Sequence, residues 1–157
     1  MLRVLLLLGM LVSSVAYAEE KQQPVTVEMQ VYQVVQDKQG VEKRVAAEQA
    51  KPDDLLEYVA LYENHTQQAI QGLNATLPIP EGVVFVAASE RPRGALASVD
   101  GLHFEAMPLK KRMQQADGTW KEVLIPLASY RFLRWNFQQL DAKKKQAVSA
   151  RVRLLTE

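Results

Sequence analysis

The chain has no cysteine in its 157 residues. That excludes disulfide staples and thiolate metal sites, and with no Cys after the N-terminal apolar run it also excludes a lipidated cysteine anchor. Histidine is nearly as scarce. His65 and His103 are the only two, and their spacing makes none of the short His pairs that metal sites use. No Gly-x-Ser-x-Gly elbow is present and no serine sits in a recognisable active-site motif. No catalytic residue, metal or cofactor is therefore predicted, and the chain reads as a non-enzyme. Long apolar runs are missing as well: the N-terminal stretch Val4–Val12 is nine residues, against the roughly 20 that a bilayer span needs. Charge of one sign is not in excess, with 19 Lys and Arg against 18 Asp and Glu. A phosphate backbone needs a concentrated positive surface, so nucleic acid is not an expected partner.

What the N terminus does have is Arg3, the short apolar run, Ser13-Ser14 and an exit at Ala16-Tyr17-Ala18. These are the three parts of a secretory signal and predict cleavage after Ala18. The expected compartment is the periplasm, the cell envelope or the exterior. No transmembrane span is expected once the leader is gone. Loss of Arg3 with it leaves 18 basic and 18 acidic groups. Those groups are unevenly spread, with 5 basic and 10 acidic in residues 19–66 and 13 and 8 in residues 67–157. Strands from the two halves lying side by side would neutralise each other across a sheet. A basic face for an acidic partner is the alternative.

After a polar leader at 19–24, side chains alternate with period two, the mark of half-buried strands. Val25, Val27, Met29 and Val31 form the apolar side of a first strand that continues to Val35. The turn Asp37-Lys38-Gln39-Gly40 leads to a hairpin partner at Val41–Ala46, and Pro52 ends the connection that follows. Further strands are predicted at Leu55–Tyr62, Ala69–Leu77 and Val83–Ala87. Pro78 and Pro80 exclude a central strand between the last two. Residues 88–95 read as a loop. Asp100-Gly101 and Asp117-Gly118 each predict a tight hairpin, since both residue types tolerate positive φ. The last strands are Tyr130–Phe137 and Ala147–Leu154, the latter with Val148, Ala150, Val152 and Leu154 inward. The expected fold is all-β, an immunoglobulin-like β-sandwich of about seven to nine strands over 25–157, with an insertion at about 90–129.

The run Asp54-Leu55-Leu56-Glu57-Tyr58, the bend Tyr62-Glu63-Asn64-His65-Thr66 and the segment Leu77-Pro78-Ile79-Pro80-Glu81-Gly82-Val83-Val84-Phe85-Val86 to Ser89 resemble the bacterial conserved-repeat domain, domain of unknown function eleven. Arg134-Trp135-Asn136-Phe137 and Val148-Ser149-Ala150-Arg151-Val152 are similar to its last two strands. Gln138 stands where that family has Gly, Lys143-Lys144 replace its Pro-Gly turn, and members are usually tandem repeats whereas one copy is present here. The resemblance implies an immunoglobulin-like sandwich in an exported protein and brings no catalytic residues.

Candidate contacts follow from residue type and position. Arg91, Arg93 and the run Lys110-Lys111-Arg112 are short basic clusters, as are Lys143–Lys145 and Arg151 with Arg153. Lysines at turns and edges commonly guard against sheet-to-sheet pairing. Converging in space, such clusters would suit an anionic surface. Trp120, just past an Asp-Gly turn, is the one aromatic residue expected outside the core. Asp53-Asp54 with Glu57 match no calcium loop and read as a turn. Asn64-His65-Thr66 and Asn74-Ala75-Thr76 are formal sequons, with Asn64 expected to cap its bend and Asn74 to face outward. The partner expected on this reading is another envelope protein or a surface polymer, met along the edge of Val25–Val35. The alternative is a small carbohydrate- or ligand-binding module built on the 90–129 hairpins with Trp120 as a stacking platform.

Overall fold

The computed structural model describes residues 23–156, so the signal sequence predicted at 1–18 and residues 19–22 of the predicted polar leader lie outside the described residues. Every element but one short 3-10 turn is a strand, and every strand pairing is antiparallel. The first sheet contains β1 (Val25–Gln36), β2 (Glu42–Ala46), β3 (Leu55–Asn64), β5 (Val83–Phe85) and β11 (Lys145–Leu154), in the order β2-β1-β3-β11-β5. The second contains β4 (Ile70–Pro78), β6 (Leu96–Ser98), β7 (Glu105–Ala106) and β10 (Phe132–Leu140), in the order β4-β10-β6-β7. A separate two-stranded ribbon joins β8 (Lys110–Gln114) to β9 (Trp120–Leu124), and the 3-10 turn Leu127–Ser129 follows it. Among the described residues the two sheets hold nine strands, and the ribbon within the 90–129 region adds two more.

The strands at the centre of each sheet are those whose alternation is strongest in the sequence. On β3, Leu56, Ala60, Tyr62 and Asn64 are buried on the inner face, and the partners that oppose them on β11 are Val152 to Leu56 and Val148 to Ala60. On β10 the inward pair is Leu133 and Trp135, opposed by Leu77 and Ala75 of β4. These faces share one core with Phe85, Val83 and Tyr130, giving the sandwich-like layering of two sheets. Phe85 and Tyr130 stack with ring centroids 5.9 Å apart. The Tyr62 hydroxyl crosses between the layers. It donates to the Thr76 carbonyl at 2.8 Å and accepts from the Thr76 N–H at 2.8 Å, occupying backbone groups of the outermost strand β4.

Asn64 is buried and ties three segments together. Its amide donates to the carbonyls of Gln68, Leu140 and Asp141, while its oxygen accepts from the Thr66 N–H and hydroxyl. It therefore caps the bend, as expected, and is too enclosed to accept a glycan; Asn74 is exposed. The two charge halves also meet as the side-by-side reading requires. Lys145 pairs with Glu63 at 2.9 Å and Arg151 with Glu42 at 2.7 Å, each joining β11 to a strand of the acidic half.

Two expectations need correction. The Asp117-Gly118 hairpin forms, with Gly118 at φ 82° and the Gly118 N–H donating to the Gln115 carbonyl. Asp100-Gly101 likewise lies in the connection of an antiparallel pair, β6 with β7, but that loop is wider than a tight turn. The Ser98 hydroxyl accepts from the Asp100 and Gly101 N–H groups, and Asp100 Oδ1 accepts from those of Leu102 and His103. Side chains thus take the donors a tight hairpin would use, and pairing resumes only at Ala97 with Glu105. Gly101 is nevertheless required, since a Cβ there would lie 2.9 Å from the Phe132 ring. The second correction concerns β1, whose apolar side is not buried.

Candidate functional site

Three surfaces collect chemistry-bearing side chains. The first is the open flank of the larger sheet. β1 pairs with β3 from Val25 to Gln33 but with β2 only from Tyr32 to Gln36. Over Val25–Val31 its other edge has no partner strand among the described residues. Val27 and Met29 oppose Tyr62 and Ala60, so they lie on the face that points toward the core. The second sheet stops short of them. Val27 is 51% exposed, Met29 42% and Val31 36%, and Val45 of β2 continues the strip at 41%. The alternation identified a strand with one apolar side correctly; the layer expected to cover that side does not reach it. Val25–Val35 is an edge only in its first half.

The second surface is an irregular segment between β5 and Pro92. The Val86 N–H bonds the Arg151 carbonyl, and Arg91 exchanges both backbone bonds with Ser149. Two steps along β11 are thus spanned by five steps on the other side, so residues 87–90 bulge outward, with Ala88 at φ 59°. On the outer face the bulge borders a cavity of about 470 Å³ lined by Arg44, Arg91, Arg151 and Arg153 with Glu42 and Glu57. Arg44 grips the buried Glu57 through two bonds of 2.6 and 3.0 Å. Arg151 grips Glu42 through two more, which holds the Glu42 carboxyl below its usual range and raises the guanidinium. Arg153 donates to the Asp53 carbonyl and Arg91 to those of Ala88 and Glu90. All four guanidiniums are therefore already satisfied in part by the protein. The cluster is a lock between β2, β3, β11 and the bulge.

The third surface is the ribbon, whose side chains are almost all exposed. Trp120 is 58% exposed, and the Arg112 guanidinium lies 5.6 Å over its ring. Lys110 pairs with Glu122 at 3.0 Å across the strands. Of the residues singled out in the sequence, Trp120, Lys110 and Arg112 thus come together on one face of the ribbon, while Lys111, opposite Val123, lies on the other face. Arg91 and Arg93 do not join them: Arg91 lines the outer cavity and Arg93 reaches Glu90 at 3.6 Å. Sequence reasoning missed Arg44 and Glu42, and it grouped Glu57 with Asp53-Asp54 as a turn although Glu57 is a buried residue of β3. A charged residue inside the otherwise apolar strand Leu55–Leu61 was the available signal.

One line of residues imitates a hydrolase relay. Thr26 Oγ1 lies 2.8 Å from His65 Nε2, and His65 Nδ1 lies 3.9 Å from Glu63. The second distance is too long for a hydrogen bond, and Glu63 is held by Lys145 instead. The cavities flanking the bulge are lined by other residues. No helix among the described residues is long and apolar enough to cross a membrane. Comparison of the chain with protein-family models, with curated proteins and with solved structures finds no match.

Proposed function

We propose that this chain is a non-enzymatic, exported bacterial envelope protein whose immunoglobulin-like domain, of the conserved-repeat kind, binds an extended segment of another envelope protein along the free edge of β1. The observation that carries the reading is the coincidence, over Val25–Val31, of an unpaired backbone edge with an exposed apolar strip. A row of unused N–H and C=O groups is satisfied in line only by another extended chain, and the alternate side chains of that chain would meet Val27, Met29 and Val31. β2 already occupies the same side of β1 further along, so the incoming strand would continue its line. Envelope localisation rests on the signal-like residues 1–18. The immunoglobulin-like assignment rests on domain size and two facing antiparallel sheets. In the usual arrangement the last two strands are neighbours in one sheet, whereas here β10 and β11 lie in opposite sheets, making the order a variant.

A photo-crosslinker at position 29 tests this in envelope extracts of cells making the full chain. One dominant adduct with a different protein is expected, mapped to a single extended segment and lost in the Val27→Lys/Val31→Lys variant. Equal labelling from a crosslinker at position 113 on the ribbon, or an adduct with a second copy of this chain, would overturn it. A second reading is favoured by Trp120 alone: an exposed indole braced by Arg112 suits stacking on a sugar ring. Glycan-array binding abolished by Trp120→Ala would support that module instead.

A further inference from the structure

The inner side of the bulge holds a second cavity, of about 250 Å³, that the strand-binding reading does not use. Its walls are Phe85, Tyr130, Met107, Pro108 and Leu127, with Glu90 as the single carboxylate and Arg93 at the rim. Glu90 arrives there because Arg91 is fixed to Ser149 on both backbone bonds while Ala88 turns the chain through positive φ. Its side chain is only 8% exposed. Oε1 has Arg93 at 3.6 Å, outside hydrogen-bond reach, and Oε2 is buried with no protein donor among the described residues. Buried carboxylate oxygens are ordinarily paired, so an orphan beside an apolar cavity calls for a ligand that donates to it.

We infer that this cavity binds a small organic cation, a primary ammonium on a short hydrocarbon body, with the ammonium donating to Glu90 and the body against Phe85, Met107 and Leu127. The charge sign follows from Glu90, since Arg93 is 58% exposed and stands at the rim. The apolar walls follow from the lining. The size follows from the volume, below the roughly 300–1,000 Å³ of drug-sized sites. Access is from the side of Ala87, Ala88 and Pro108, which are exposed, whereas Phe85 and Tyr130 close the floor.

Titration of the full-length mature protein with pentylammonium, 1-pentanol and pentanoate, followed by the methyl signals of Met107 and Leu127, tests the assignment. Pentylammonium is expected to bind at least about tenfold tighter than the alcohol, the ratio a charge-assisted bond gives. Glu90→Gln is expected to erase that preference while leaving the alcohol's binding in place. Ala87→Leu, which narrows the mouth, is expected to weaken both. Equal binding of ammonium and alcohol would overturn the proposal, as would a preference for pentanoate or an ammonium preference that survives Glu90→Gln.

Discussion

The pair β3–β11 and the pair β8–β9 are built on the same antiparallel ladder, nine paired positions long in the first and five in the second. Each also carries an ion pair on one face, Arg44 with Glu57 beside the first and Lys110 with Glu122 across the second. They differ in what lies over them. The inner face of β3–β11 is roofed by β4 and β10, and its outer face is partly closed by Arg44 and the bulge. Both faces of the ribbon meet water. Backbone pairing exchanges water bonds for protein bonds at small net gain, and an isolated hairpin is marginal. Coverage is what separates the two pairs, and the same chemistry should therefore have different weight in each.

The largest contrast is in apolar truncation. Leu133→Ala, on the β10 roof over β3–β11 and fully buried, should cost about 2–5 kcal/mol through lost transfer energy and a residual cavity. Met113→Ala on the ribbon, 45% exposed, should stay within about 0.5 kcal/mol. Urea unfolding of both variants checks the pair, and similar costs would mean that the ribbon is covered in solution.

Asn64 sharpens the contrast with polar groups. Asn64→Ala removes the buried amide's bonds to the Leu140, Asp141 and Gln68 carbonyls and the acceptor of the Thr66 N–H, although Lys144 and the Thr66 hydroxyl still reach Asp141 and Gln68, and should cost on the order of 2 kcal/mol. Asn64→Asp should be worse although it is nearly isosteric, because a carboxylate oxygen would then face the carbonyls of Gln68, Leu140 and Asp141. Denaturant midpoints that ranked the aspartate as the milder change would break the assigned amide orientation. Next in size is the ion pair. Arg44→Ala leaves the buried Glu57 with Arg151 only at 3.9 Å and should cost about 1–3 kcal/mol. Lys110→Ala removes an exposed pair and should cost about 0–1 kcal/mol.

The same contrast explains what the sequence could reveal. Alternation marked β3, β10 and β11, and the inward residues of β11, because both faces of these strands have a fixed fate. It marked β1 equally well and misled about it, since a period of two says that one side is apolar and nothing about whether a second layer reaches it. The Asp117-Gly118 hairpin was legible as a local event. Asp100-Gly101 marked the β6–β7 connection but not its width, because the Ser98 and Asp100 side chains take the N–H groups a tight turn would use. Glu90 and the arginine lock were beyond reach, as they depend on Arg91 meeting Ser149 and on β2 lying near β11, neither of which has a local signature. The orphaned Glu90 oxygen exists only in three dimensions.

The smallest expected effect lies at the exposed loop between β6 and β7. Asp100 Oδ2 sits 2.7 Å from His103 Nδ1. That bond, then the N–H groups of His103 and Leu102, hold the Asp100 carboxyl well below its usual range. The same bond raises the His103 imidazole above its ordinary 6.5. A raised histidine contributes stability in full below its unfolded pKa and loses it as pH rises through the folded one. A lowered aspartate contributes above its unfolded pKa, about 3.9, and loses it as pH falls through the folded one. The pair therefore helps most between about pH 4 and 6.5, fades toward alkaline pH as His103 deprotonates, and fades in strong acid as Asp100 protonates. Solvent screens so exposed a pair that global stability should barely register it. The His103 ring signals should register it plainly, titrating above the ordinary histidine value in the parent and returning to that value in Asp100→Asn. A His103 midpoint that ignores the substitution would show that the loop does not hold the two side chains together.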